Sequence, residues 1–115
     1  MPSDCVFCKI ANGEMDGRVI YQDELATAFW DIRPVAPVHI LIVPKKHIPS
    51  VNEMQKEDEA LLGHLILVAK QVAKEQGVDQ EGYRLSINTG PNAGQSVFHI
   101  HVHLMAGKPL PIRLG

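Results

Sequence analysis

The period of apolar and polar positions changes several times along this chain, and each change marks an element. Residues 38–43 read Val-His-Ile-Leu-Ile-Val, which predicts a central strand covered on both faces. Residues 18–22 and 25–30 read as two strands around Asp23-Glu24, a hairpin signal. From about residue 56 to residue 76 the period lengthens. Leu61, Leu65, Val68 and Val72 recur at i, i+4, i+7 and i+11, one apolar stripe of a long helix. Glu57, Asp58 and Glu59 in its first turn, and Lys70 and Lys74 near its other end, suit the helix dipole. Gly77 stops it. Residues 4–12 predict a short helix ended by Gly13, and residues 83–88 and 97–105 predict two more strands. Residues 31–37 and 89–96, rich in Pro, Gly and Asn, are loops. There is no internal repeat. Five antiparallel strands with one long and one short helix make an α+β fold.

Length and charge narrow the picture. The 115 residues form a single domain, 1–115, with no room for a second core. A net charge of -2 lacks the broad basic footprint of a duplex nucleic-acid binder. The longest apolar run, residues 65–69, falls far short of the roughly 18–20 residues that span a bilayer, so no membrane is expected. Met1-Pro2-Ser3-Asp4 does not read as the start of a signal peptide, which leaves the cytoplasm as the expected compartment.

Charge is unevenly placed. All 13 carboxylates and 8 of the 11 Lys and Arg lie in residues 1–81. Residues 82–115 hold Arg84, Lys108 and Arg113, no carboxylate, and three of the six histidines. Such a segment suits an anion, especially a phosphate, and suits Mg²⁺ poorly.

The three histidines are His99, His101 and His103, with Ile100, Val102 and Leu104 between and after them. In a strand they share one face and the apolar residues share the other. A catalytic metal is one reading. Three alternate positions span roughly 13 Å at about 3.3 Å per residue, too far for one zinc with bonds of about 2.1 Å to take all three easily. Nucleophilic catalysis is the other. A neutral imidazole attacks phosphorus well when one nitrogen keeps its proton and the other presents a lone pair. The preceding Thr89-Gly90-Pro91-Asn92-Ala93-Gly94-Gln95-Ser96 can bring backbone N–H groups and the Ser96 hydroxyl to an anion. Cys5 and Cys8 form Cys-x-x-Cys. Among a redox dithiol, a disulfide and zinc, zinc is the better reading, and it needs two further ligands, of which histidine is the natural type. His64, near the apolar stripe, reads as structural.

The stretch Gly94-Gln95-Ser96-Val97-Phe98-His99-Ile100-His101-Val102-His103-Leu104-Met105-Ala106-Gly107 resembles the histidine triad family. Phe7-Cys8-Lys9-Ile10, Ala28-Phe29-Trp30-Asp31-Ile32, Ala36-Pro37-Val38-His39 and Ile42-Val43-Pro44-Lys45-Lys46-His47-Ile48 agree, so the resemblance covers nearly the whole chain. It is most similar to the Hint branch, the nucleoside phosphoramidases. The branch that hydrolyses dinucleoside polyphosphates usually carries Thr where Ser96 stands.

The resemblance implies a nucleotidyl intermediate on His101, with the His99 carbonyl orienting its ring. His103 and His39 would flank nucleophile and phosphate, and Ser96 would stand near the leaving group. Asp31 would bond the ribose hydroxyls. Asn88, Gly94, Gln95 and Val97 would line the phosphate side, and Phe7, Ile10, Phe29, Ile32 and Leu41 the purine slot. It also implies a structural zinc on Cys5, Cys8, His47 and His99, no catalytic metal, and a homodimer joined across its sheets. Residues 14–16, Glu-Met-Asp, depart from the family's usual Glu-Ile-Pro.

Overall fold

The structure is a computed structural model that describes residues 4–111. Arg113, one of the three cations of the carboxylate-free segment, and the start of the chain at 1–3 lie outside these residues. Helix α1 spans Val6–Ala11 and α2 spans Glu59–Glu75. The strands are β1 Val19–Gln22, β2 Ala26–Trp30, β3 Val38–Pro44, β4 Tyr83–Ser86 and β5 Val102–Ala106. They form one antiparallel sheet in the order β1-β2-β3-β5-β4, the expected α+β architecture.

Local chemistry explains the boundaries. At the β1–β2 turn, Asp23 Oδ1 accepts the N–H groups of Leu25 and Ala26, each at 2.8 Å. Its Oδ2 takes the Tyr21 hydroxyl and His64 Nε2, each at 2.7 Å, which ties the hairpin to α2. His64 is thus structural, as its place near the apolar stripe suggests. Helix α2 begins after a 3-10 turn at Lys56–Asp58 and ends where Gly77 turns at φ +73.

Alternation gives the sheet two different faces. Ala28, Ile40, Ile42, Val102 and Leu104 pack under α2 with Leu65, Val68, Ala69 and Val72. On the other face Phe29, Leu41 and Val43 meet Phe7, Ile10 and Ala11, all three carried by α1. This second face is only partly covered, and a cavity that His101 and His103 line opens there.

The last strand is shorter than its pattern. Expected over residues 97–105, it enters the ladder only at Val102, opposite Ile42. Its partner β3 ends at Pro44, which has no N–H to donate. The backbone at His99–His101 is held otherwise: Ile100 donates its N–H to the Ile48 carbonyl at 2.7 Å. The period of two persists, with Ile100 buried in the core. Strand β4, expected to reach residue 88, stops at Ser86 opposite His103.

Candidate active site

A cavity of about 340 Å³ opens on the α1 face of the sheet, within the size range of a small-molecule site. Val6, Phe7, Ile10, Phe29, Leu41 and Val97 supply apolar wall, and Asp31, Ser96, His101 and His103 supply polar groups. Ile32 stands at the mouth, 88% exposed. Phe7 joins the two ends. Its ring stands edge-on to Phe29, with centroids 5.4 Å apart, and to His101 at 5.1 Å.

Each imidazole of the site is held in one tautomer. His101 Nδ1 lies 2.8 Å from the His99 carbonyl oxygen, which can only accept, so Nδ1 carries the proton and Nε2 the lone pair. Burial pushes its pKa below the usual imidazole value, which favours this neutral form. His39 is set in the opposite sense. The Val35 N–H donates to His39 Nδ1 at 3.1 Å, leaving the ring proton on Nε2. That Nε2–H donates to His103 Nδ1 at 3.0 Å, so His103 in turn carries its proton on Nε2. Burial lowers the pKa of His39, against the pull of Asp31, and pushes His103 down to about 4.

Asp31 is anchored beside them. Its Oδ1 accepts the Arg33 N–H at 2.8 Å, and its Oδ2 lies 3.4 Å from His39 Nε2. Asp31, His39 and His103 come close enough to share a cation. The Val35 N–H argues for a hydrogen-bonded relay there, because it leaves a proton, not a lone pair, on the His39 nitrogen that faces the group.

A second cluster gathers Cys5, Cys8, His47 and His99. His99 Nδ1 lies 3.4 Å from Cys5 Sγ, 3.5 Å from Cys8 Sγ and 3.1 Å from His47 Nδ1, and Cys8 Sγ lies 3.3 Å from His47 Nδ1. Zinc bonds of about 2.1 Å to nitrogen and 2.3 Å to sulfur give N–N and N–S edges of about 3.4–3.6 Å in a tetrahedron, so the donor set fits that ion. Here the outer contact has the right sense. His99 Nε2 donates to the Pro44 carbonyl at 2.8 Å and turns the Nδ1 lone pair toward the thiols. Burial and the neighbouring Cys5 push the Cys8 thiol up to about 11; a cation between the sulfurs reverses that preference. Burial lowers His47 and takes His99 to about 4, which keeps both rings neutral and able to bind a metal.

The loop before the triad is held from within. Gln95 is buried. Its Oε1 accepts the Gly90 N–H at 2.8 Å, and its amide donates to the carbonyls of Pro49 and Val97 at 2.7 and 3.1 Å. Gln95 therefore shapes the loop and lies off the cavity wall. Asn88 and Gly94 also lie off the wall, Gly94 turning the loop at φ +83. Ser96 and Val97 reach it. Val6, Asp16, Gly17, Trp30 and Arg33 line the cavity beyond the contacts that the resemblance implies. Two of them carry a sequence signal: Asp16, where the chain departs from the family's usual Glu-Ile-Pro, and Trp30, unusual beside Asp31.

Comparison with known proteins agrees with this geometry. The HIT domain family model matches residues 12–110. The chain is 47% identical over 110 residues to the purine nucleoside phosphoramidase of Escherichia coli strain K12, covering 96% of this chain and 92% of that protein. A HIT family hydrolase of Legionella pneumophila Philadelphia 1 superposes with a TM-score of 0.94 at 44% identity, covering 96% of this chain and 99% of the other. A histidine triad protein of Clostridium difficile does so with a TM-score of 0.94 at 46% identity and 96% coverage of both. This chain belongs to the HIT domain family.

Proposed function

We propose that this chain hydrolyses purine nucleoside phosphoramidates to the nucleoside monophosphate and the free amine. The observation that carries the reading is the bond from His101 Nδ1 to the His99 carbonyl, which leaves Nε2 as a buried neutral nucleophile. Likeness to the purine nucleoside phosphoramidase of E. coli supports the substrate class.

In the first step His101 Nε2 attacks phosphorus. The bond from phosphorus to the amine nitrogen breaks, and that nitrogen leaves with its electron pair and takes up a proton. Water then attacks the same phosphorus and gives up a proton, which balances the one the amine took; the bond to Nε2 breaks, and the pair returns to His101. His103 offers its Nε2–H to a non-bridging oxygen as charge develops. Ser96 stands beside the leaving group, and Val97 and the residue 89–96 backbone, with Asn88, Gly94 and Gln95, shape the phosphate side. Asp31 accepts from the ribose hydroxyls, and Phe7, Ile10, Phe29, Ile32 and Leu41 hold the base.

Cys5, Cys8, His47 and His99 would bind zinc with four protein ligands, a closed structural set that steadies the backbone next to His101. No metal enters the chemistry in this reading. The protein works as a homodimer: among the described residues β4 pairs only with β5, and it offers its other edge for a sheet continued across a two-fold axis. No described helix is long and apolar enough to cross a membrane, and reduced thiols suit a cytoplasmic location. Neither a membrane nor duplex nucleic acid is a partner in this reading.

The test is AMP release from adenosine 5′-phosphoramidate, with and without a strong chelator. Release that survives the chelator supports the nucleophilic mechanism. Release abolished at once, before the fold loosens, would point to metal catalysis. Turnover of dinucleoside polyphosphates alone would favour the sister activity, and nucleotide binding with no turnover of either would make the chain a binding module.

A further inference from the structure

Asp16 stands on the wall of the apolar slot, where the sequence departs from the family's usual pattern. Its position is fixed by its neighbours. Gly17 packs so tightly on Ile10 that an added Cβ would lie 2.9 Å from Ile10 Cγ2. The Gly17 carbonyl accepts the Val19 N–H at 2.8 Å, and the next carbonyl, of Arg18, accepts the Trp30 N–H at 3.2 Å. The segment is therefore pinned against both α1 and the end of β2.

Helix α1 relates this segment to the nucleophile. Phe7 touches His101, and Ile10, one turn further along, touches Gly17. One turn is about 5 Å along the axis. A nucleotide placed as in the proposed reading, with phosphorus at His101 and ribose at Asp31, would lay its base across Phe7 and Ile10, on the cavity wall that Asp16 shares. Among the described residues, no ion pair or hydrogen bond involves the Asp16 carboxylate. Arg33, on the same cavity, forms no ion pair with it among the described residues.

A carboxylate in such a slot asks its ligand for two neighbouring donors. Guanine offers them, N1–H and the N2 amino group side by side. Adenine places its N6 amino group next to N1, an acceptor that repels the second carboxylate oxygen. We propose that Asp16 selects the base, its two oxygens accepting from N1–H and N2–H of guanine, so that guanosine phosphoramidates are preferred over adenosine phosphoramidates. This rests on the proposed phosphoramidase reading and adds its base specificity.

The experiment compares kcat/KM for the guanosine, inosine and adenosine 5′-phosphoramidates in the full chain, in Asp16→Asn and in Asp16→Ala. It pairs these with calorimetric binding of GMP and AMP. A two-point contact is worth a factor of about ten or more between bases. The expected result is a guanosine-to-adenosine ratio of about ten that falls toward one in both variants, with inosine between because it keeps N1–H alone. The GMP-to-AMP affinity ratio falls in parallel. An unchanged ratio in both variants overturns the assignment. So does an equal change on all three substrates, which would assign Asp16 to the amine or to the loop. Absence of turnover with a GMP preference that Asp16→Asn abolishes would overturn the activity and leave the base assignment standing. Asp16 is solvent-exposed, so neither variant threatens the fold.

Discussion

The backbone N–H of Val35 lies 3.1 Å from Nδ1 of His39, and this contact decides which way two imidazoles face. Because the N–H can only donate, His39 holds its proton on Nε2 and passes a hydrogen bond to His103 Nδ1. His103 is left with its proton on Nε2. A main-chain group in the residue 31–37 loop thereby sets the protonated nitrogen of a histidine that lines the cavity.

His39→Gln and His39→Asn separate this relay from mere bulk. The Gln amide can reach the position of Nε2 and still donate to His103; the shorter Asn cannot. We expect His39→Gln to lose about tenfold in kcat/KM and His39→Asn about a hundredfold, within the range for groups that orient another. Steady-state kinetics on one phosphoramidate checks the order. Equal losses would show that His39 acts by filling space.

The pH dependence follows from the same burial. His39 and His101 titrate below the usual imidazole value of 6.5, and His103 at about 4. In the proposed mechanism His101 attacks only when neutral, so a lowered pKa carries activity to lower pH. The acid limb of kcat/KM is expected below pH 6.5. Stability moves the same way. Between 6.5 and about 4 an unfolded His103 binds a proton that the folded one refuses, so stability is lost as pH falls through that window. A pH–rate profile with its acid limb at or above 6.5 would contradict the desolvated triad.

Much of this was legible in the sequence, and the exceptions have physical causes. The alternation of His99, His101 and His103 with Ile100, Val102 and Leu104 shows one polar face whether or not the ladder is complete. It cannot show that β3 runs out at Pro44 and leaves His99 and His101 held by side contacts. Cys5 and Cys8 announce a ligand pair by spacing alone. Their convergence with His47 and His99, across 39 to 94 residues of chain, is tertiary. The tautomers depend on Val35 and on the Pro44 carbonyl, whose residue types say nothing of hydrogen bonding. Residues 12–18 have no period at all, so nothing in the pattern marks Asp16 beyond its departure from Glu-Ile-Pro.

The four-ligand cluster should hold one zinc per chain, measurable by metal analysis of the purified protein. Cys8→Ser should lose it, and the loss should lower Tm by about 10 °C, since metal binding free energy to a preformed set is folding free energy. Wild type stripped by a chelator should show the same fall, and zinc should restore it. A Tm indifferent to chelation would leave Cys5 and Cys8 as two plain thiols.

Two glycines make a paired test of the backbone behind the site. Gly107, just after β5, sits at φ +98, and a Cβ there would lie 2.8 Å from Pro37 Cβ. Pro37 belongs to the loop between Asp31 and His39, so the strain of an alanine would press on the two groups that flank His103. Gly63 lies inside α2 with ordinary helical geometry and nothing within 4 Å of its missing Cβ. The same chemical change should therefore act in opposite directions. Gly107→Ala is expected to cost about 2 kcal/mol, a fall in Tm of roughly 8 °C, because an L-residue at positive φ is strained and the contact is too close. Gly63→Ala should gain about 0.7 kcal/mol by lowering the entropy of the unfolded chain and improving helix propensity. Thermal melts of the two variants give the signs. Turnover gives the link to function: Gly107→Ala should lower kcat in the molecules that remain folded, while Gly63→Ala should leave it unchanged. If both variants melt like wild type, the close packing of Gly107 on Pro37 does not restrain the loop that carries Asp31 and His39.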